Sequence, residues 1–244
     1  MIKKMINDFL SAFGIAIIRL KKNETLLNRN LAPKAKWSDF EIKSPVNHNT
    51  SSRMNDFFSD SAMLEQYLNE ERINFYKEII KTAKENNIDL NNSDVIDVGT
   101  GTGHLLSFFK EHYDPKSITG IDFSESAIEV AKKTLPDGKF FVHDLYKKLD
   151  AKYDIILCTE VIEHLLNPDQ ALKNIIDMMG EDSVILITVP NGRTDQYEGH
   201  INFWSPESWE VFIKNNTGGL SVRTGIFNDK KNNYAIISTG KTQH

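Results

Sequence analysis

Between Val95 and Leu106 the chain reads Val-Ile-Asp-Val-Gly-Thr-Gly-Thr-Gly-His-Leu-Leu. An apolar run of this kind suits a central parallel strand covered on both faces. The glycines Gly99, Gly101 and Gly103 admit backbone angles that a Cβ forbids and let a ligand lie against the chain. The helix that follows offers unpaired N–H groups and the positive end of its dipole. Together they predict a nucleotide-type site at the carboxyl edge of a parallel sheet.

From Asp94 onward strands and helices alternate. Val95–Val98, Ser117–Ile121, Lys139–Val142, Tyr153–Cys158 and Ser183–Val189 read as strands, with helices at His104–His112, Ser126–Thr134 and Gln170–Met179. One-helix spacings imply right-handed crossovers and a parallel sheet. Leu220–Phe227 and Asn233–Thr239 leave no room for a helix between them and read as a hairpin turning near Asn228-Asp229-Lys230-Lys231. The expected fold is therefore α/β, a mostly parallel sheet ending in an antiparallel pair.

The rest of the chain divides by charge and pattern. Of 244 residues with net charge −5, residues 1–36 carry +6, which leaves the other 208 at −11. An acidic main domain is poorly suited to nucleic acid. Residues 1–22 place Ile2, Met5, Ile6, Phe9, Leu10 and Phe13 at helical spacing among lysines, too short and interrupted to span a bilayer. Such a basic amphipathic helix suits an anionic membrane surface, its own domain or a second subunit of a homo-oligomer. Residues 23–58 are polar and weakly periodic and read as an irregular linker; residues 59–92 carry helical patterns, and 93–244 form the main domain. The single cysteine, Cys158, sits in an apolar run and reads as buried core in a cytoplasmic protein.

Several details narrow the nucleotide. His104 stands where a dinucleotide turn places its third glycine, and no Gly-Lys-Ser/Thr follows. Asp122 ends the second strand, where a carboxylate can accept both ribose hydroxyls; Ser124 is the better helix cap. At the end of the third strand, in Val142-His-Asp-Leu145, Asp144 can accept from an adenine amino group and Leu145 can offer its N–H.

These residues, with Tyr153-Asp154-Ile-Ile-Leu-Cys-Thr-Glu160, resemble the class I S-adenosylmethionine-dependent methyltransferase family, in its bacterial small-molecule and glycan branch. The likeness runs from about Asp94 to Thr239 and implies a Rossmann-like, seven-stranded sheet. It implies that Gly99, Thr100, Gly101 and Gly103 approach the methionine portion, that Asp122 holds the ribose, and that Asp144 and Leu145 hold the adenine. Thr159 and Glu160 line the floor, and Asp97 and Phe123 join the cofactor-binding set. Tyr67 and Arg72 resemble residues of a helical lid, beside a core or surface role for each.

The acceptor side rests on two segments. Glu160, Glu163 and His164 share one face if Glu160-Val-Ile-Glu-His164 is a helical turn. The long loop from Pro190 carries His200 before Ser205-Pro206, a helix cap with proline at the first position, and long loops at this edge tend to be functional. One reading makes His200 the base or its orienter, with His164 and Glu163 as partners in the pocket. The other joins Glu160, Glu163, His164 and His200 in a divalent-metal site, resembling small-RNA 2′-O-methyltransferases. The acidic domain and the lack of a stacking stripe favour the first, with no metal. The expectation is O-methylation of a small-molecule or glycan acceptor, with a non-catalytic cofactor-binding subunit as the alternative outside enzymology.

Overall fold

The structure is a computed structural model that describes residues 50–60, 62–64 and 68–240. The expectations for residues 1–22, for most of the linker and for Tyr67 lie outside the described residues. Everything described belongs to the compact unit Pro45–His244.

Among the described residues, helices α1 (Ser51–Ser59) and α2 (Glu70–Glu85) come before the sheet. Strands and helices then alternate as β1 (Asp94–Val98), α3 (His104–Lys110), β2 (Ser117–Asp122), α4 (Glu125–Thr134), β3 (Lys139–Val142) and β4 (Tyr153–Thr159). A short 3-10 turn (Ile162–His164), α5 (Pro168–Ile176), β5 (Met179–Pro190), α6 (Pro206–Asn216), β6 (Ser221–Phe227) and β7 (Asn232–Ser238) complete the chain. The seven strands lie in the order β3-β2-β1-β4-β5-β7-β6, parallel except where β7 joins β5 and β6 antiparallel. This is the mostly parallel sheet with a terminal hairpin that the alternation predicts, in the Rossmann-like, seven-stranded form that the resemblance implies.

Alternation within the strands builds two cores. Val95, Ile155, Leu157 and Leu186 face α2, α3 and α4, while Ile96, Ile156, Cys158, Ile185 and Ile187 face α5 and α6. Cys158 is fully buried, as its apolar run predicts. Covering both faces removes each of these side chains from water, worth roughly 1.5–3 kcal/mol apiece.

The structure departs from the sequence reading at α1 and at Met179. Residues 51–58, read as irregular linker, belong to α1, capped by the Thr50 hydroxyl and burying Phe58. The helical patterns expected over 59–92 include α2, which starts at Glu70 with Asn69 as its cap. Met179, assigned to a helix, opens β5, because the chain pairs Tyr153 with Met179 before a bulge restores register at Ile155–Val184.

Candidate functional site

The turn between β1 and α3 has the backbone that its glycines permit. Gly99, Gly101 and Gly103 all adopt positive φ (73°, 51° and 75°). At Gly99 a Cβ would overlap the side chain of Val161, the second residue past β4. The exits of β1 and β4 are thereby in contact, at the point where strand order reverses between β1 and β4 and a ligand crevice is expected.

Two buried acids face this turn. Asp122 ends β2 and accepts from the Gly101 N–H through Oδ2 and from the Ser124 N–H through Oδ1, both at 2.9 Å. Each oxygen keeps a second lone pair, the arrangement needed for a bidentate grip on vicinal hydroxyls. Burial raises its affinity for a proton against those backbone donors. Asp97 is 2% exposed, and its Oδ1 has no hydrogen-bond partner among the described residues. Burial, against the Thr100 hydroxyl and helped by the Asp122 charge, pushes it up to about 7. An orphaned carboxylate oxygen beneath a glycine cradle fits a ligand that brings a donor or a positive charge.

The other expected cofactor residues ring this turn less tightly. Thr100 is buried in it, Phe123 follows Asp122 and is 38% exposed, and Thr159 closes β4 opposite Thr188. Asp144 spends Oδ1 on the Tyr146 N–H at 3.0 Å, and the Leu145 carbonyl accepts from Asn174 at 2.7 Å. These bonds set the loop after β3; Asp144 retains Oδ2, which faces Lys147 at 3.7 Å.

Glu160 departs from the sequence expectation. It leaves β4 with φ 56°, an uncommon conformation for a residue with a long side chain, so no helical face carries it together with Glu163 and His164. Its Oε1 accepts from the Thr188 hydroxyl at 2.9 Å and its Oε2 from the Asn232 amide at 3.0 Å. Burial pushes its carboxyl up to about 7, with Thr188, Arg72 and Asn232 opposing and the Asp195 charge assisting.

Glu163, His164 and His200 do come together. The loop past β5 is strapped to the 3-10 turn, with Ile201 and Asn202 N–H donating to the Glu163 carbonyl and the Asn202 amide to the Leu165 carbonyl at 2.7 Å. Both imidazole Nε2 atoms lie 3.8 Å from Glu163 Oε1. His164 Nδ1 meets the Gly199 carbonyl at 3.0 Å, and His200 Nδ1 meets Asp195 Oδ2 at 2.6 Å. Glu163 is wholly buried, and neither carboxylate oxygen has a hydrogen-bond partner among the described residues. Burial and the Glu160 charge push its carboxyl well above the usual range, while burial lowers His164 to about 4. These three residues can present one ligand atom each within 4.8 Å of one another; Glu160, the fourth of the expected metal set, is committed to Thr188 and Asn232.

A cavity of about 640 Å³ opens beside the cluster, walled by Phe57, Arg72 and Phe75 on one side and by Glu160, Asp195 and Asn232 on the other. Asp195 lines this cavity and is hydrogen-bonded to His200. Sequence reading missed Asp195, whose only signal was its place five residues before His200 in a long polar loop.

Comparison with known proteins agrees with this geometry. Residues 68–216, more than half of the chain, match the family described as "Methyltransferase domain". The chain is 28% identical to the malonyl-[acyl-carrier protein] O-methyltransferase of Bacillus cereus over 126 residues, 50% of this chain and 46% of that protein. It is 33% identical to a ubiquinone biosynthesis O-methyltransferase of Coxiella burnetii over 96 residues, 37% of this chain and 40% of that one. The chain spans about half the length of the curated relatives it matches. Among solved structures, the N-methyltransferase NodS from Bradyrhizobium japonicum, in complex with S-adenosyl-L-homocysteine, shares the fold. Its TM-score is 0.62 at 16% identity, over 79% of this chain and 100% of that one. With its sheet order, its glycine turn and this match, the chain belongs to the class I S-adenosylmethionine-dependent methyltransferase family.

Proposed function

We propose that the protein transfers the methyl group of S-adenosylmethionine to an oxygen of a small hydroxylated acceptor, glycans included, bound in the cavity beside Glu160. One observation carries this reading. Val161 packs on Gly99, so Glu160 stands next to the glycine turn and on the cavity wall at once. Donor and acceptor sites therefore meet at a single strand end, which favours in-line transfer.

When bound, the cofactor supplies an activated methyl group. The chain has to hold it, align the acceptor and deal with the acceptor's proton. Asp122 grips the ribose, Asp97 meets the charged end of the methionine portion, and Gly99 to Gly103 let both approach the backbone. Alignment of this kind is worth roughly 7–11 kcal/mol. On the acceptor side His200 acts through Asp195, the cavity-facing member of the pair, with Glu163 and His164 behind it. Of the two roles expected for His200, base or orienter, the second is favoured by the direction of its Nε2, which is turned toward buried Glu163. A pair sharing a hydrogen bond of 2.6 Å can take a hydroxyl proton at the carboxylate and spread the charge over the imidazole.

The test is transfer of labelled methyl from S-adenosylmethionine to phenols, quinols, hydroxy acids and sugars, together with calorimetry of S-adenosylhomocysteine. Label in a hydroxylated compound, absent with Asp122→Ala, supports the reading. A protein that binds no S-adenosylhomocysteine overturns it.

A second reading is favoured by the two unpartnered oxygens of Glu163 beside two imidazole Nε2 atoms, a donor set that suits a transition-metal ion. Titrating Mn²⁺ into metal-stripped protein separates the two readings. Binding abolished by Glu163→Gln supports the ion; unchanged methyl transfer after stripping removes it.

A further inference from the structure

The hydrogen bonds that place Asp122 do not end at the sheet. Ser124, wholly buried, donates its N–H to Asp122 Oδ1 at 2.9 Å, and its hydroxyl donates to Asn55 Oδ1 at 2.7 Å. The same Asn55 oxygen accepts the Ser126 N–H at 3.3 Å, one of the otherwise unpaired donors in the first turn of α4. Ser124 Oγ in turn accepts from the Ala127 N–H at 3.2 Å, so its hydroxyl hydrogen is free to serve Asn55. Two further contacts fix α1 to this segment: Ser51 Oγ donates to the Phe123 carbonyl at 3.3 Å, and Ser59 Oγ lies 2.9 Å from Ser126 Oγ. Along one helix face, residues 51, 55 and 59 thus meet residues 123, 124 and 126, directly after the acid at the end of β2.

From this chain of contacts we infer that Asn55 is a cofactor-positioning residue: through Ser124 it holds Asp122 in its ribose-gripping rotamer, and α1 is a wall of the cofactor site. This inference rests on the proposed S-adenosylmethionine site. Two features set α1 apart from a helix that merely packs. It attaches to α4 through polar side chains on its contact face, with a single fully buried apolar residue, Phe58. The preceding residue, Phe57, lines the acceptor cavity, so the helix borders both halves of the site. Hydrogen bonds of this kind are individually modest and geometrically demanding, which suits an element that orders as its neighbour site fills.

The experiment uses the full chain and S-adenosylhomocysteine as the probe. Calorimetry on Asn55→Ala is expected to show roughly five- to tenfold weaker binding, the scale of losing one or two buried hydrogen bonds. Asn55→Asp keeps an acceptor oxygen for the Ser124 hydroxyl and the Ser126 N–H, and should restore affinity to near wild type. Asn55→Leu, which fills a similar space without an acceptor oxygen, should bind as weakly as Asn55→Ala, whereas a residue with only a packing role would be rescued by leucine as well as by aspartate. Hydrogen exchange of amides 51–59 should slow on adding the probe to wild type and change less in Asn55→Ala. Asn55→Ala protein that binds like wild type, or amides 51–59 indifferent to the probe, overturns the inference. A wild-type protein that binds no probe overturns the cofactor site itself and is told apart by that result. If Asn55→Ala does not fold, the exchange experiment on wild type decides alone.

Discussion

Val161 fills the space that a side chain on Gly99 would need, so the exits of β4 and β1 are locked together where the proposed donor and acceptor sites meet. Gly99 also holds φ 73°. Gly99→Ala therefore meets both a steric and a conformational penalty, of order 1–3 kcal/mol from the backbone alone. Thermal melts should show a drop of several degrees, and S-adenosylhomocysteine affinity should fall with it. Adding Val161→Ala should recover part of the stability. A Gly99→Ala protein as stable as wild type would contradict the contact.

Asp195 and His200 share a hydrogen bond of 2.6 Å, and if they act as the proposed unit their variants should not add. Asp195→Asn and His200→Ala should each lower methyl transfer roughly 10²-fold or more, with the double variant little worse than either single. S-adenosylhomocysteine binding should stay intact in all three. Additive losses would separate the two residues and return His200 to an independent role.

Ligand-free stability should fall as pH rises toward neutrality and beyond. Asp97 is raised from 3.8 and Glu160 from 4.5, both to about 7. The folded protein thus holds protons that the unfolded chain releases above about pH 4–5. The associated stability is complete below that range and is lost as pH passes through about 7. His164, lowered to about 4 from 6.5, works in the opposite sense between those values and offsets part of the decline below pH 6.5. Melting temperatures across roughly pH 5–8 should therefore decrease, with a shallower decline in Glu160→Gln. A rise across this range would remove the buried-carboxyl account.

Much of this architecture is legible in the residues, and the exceptions have physical causes. The glycine turn, the Ser124 and Ser205 caps and the terminal hairpin announce themselves because each depends on local backbone chemistry. Helix α1 stays hidden because hydrophobic periodicity is blind to a helix docked by Ser51, Asn55 and Ser59. Glu160 misleads because it has the spacing of a helical face, yet the chain leaves β4 through a left-handed conformation that sends it to Thr188 and Asn232. Asp195 is one of two acids in its loop, and the contact with His200 Nδ1 that distinguishes it from Glu198 depends on how the loop folds back, which spacing does not show.

Asp97, beside Asp122, gives the proposed cofactor site a pH signature. Asp97 is pushed up to about 7, so a ligand bringing an ammonium group toward it should bind more tightly as that carboxyl ionises. S-adenosylhomocysteine affinity should increase from about pH 6 to 8, and Asp97→Asn should remove the dependence. A flat profile in wild type would take Asp97 out of the methionine end of the site.

The central claim is that the turn from Gly99 to Gly103 and Asp122 form the cofactor site, and calorimetry of S-adenosylhomocysteine tests it most directly. Wild type should bind one equivalent per chain, and Asp122→Ala, folded by circular dichroism, should show no measurable binding. Equal affinity in the two proteins would contradict the account.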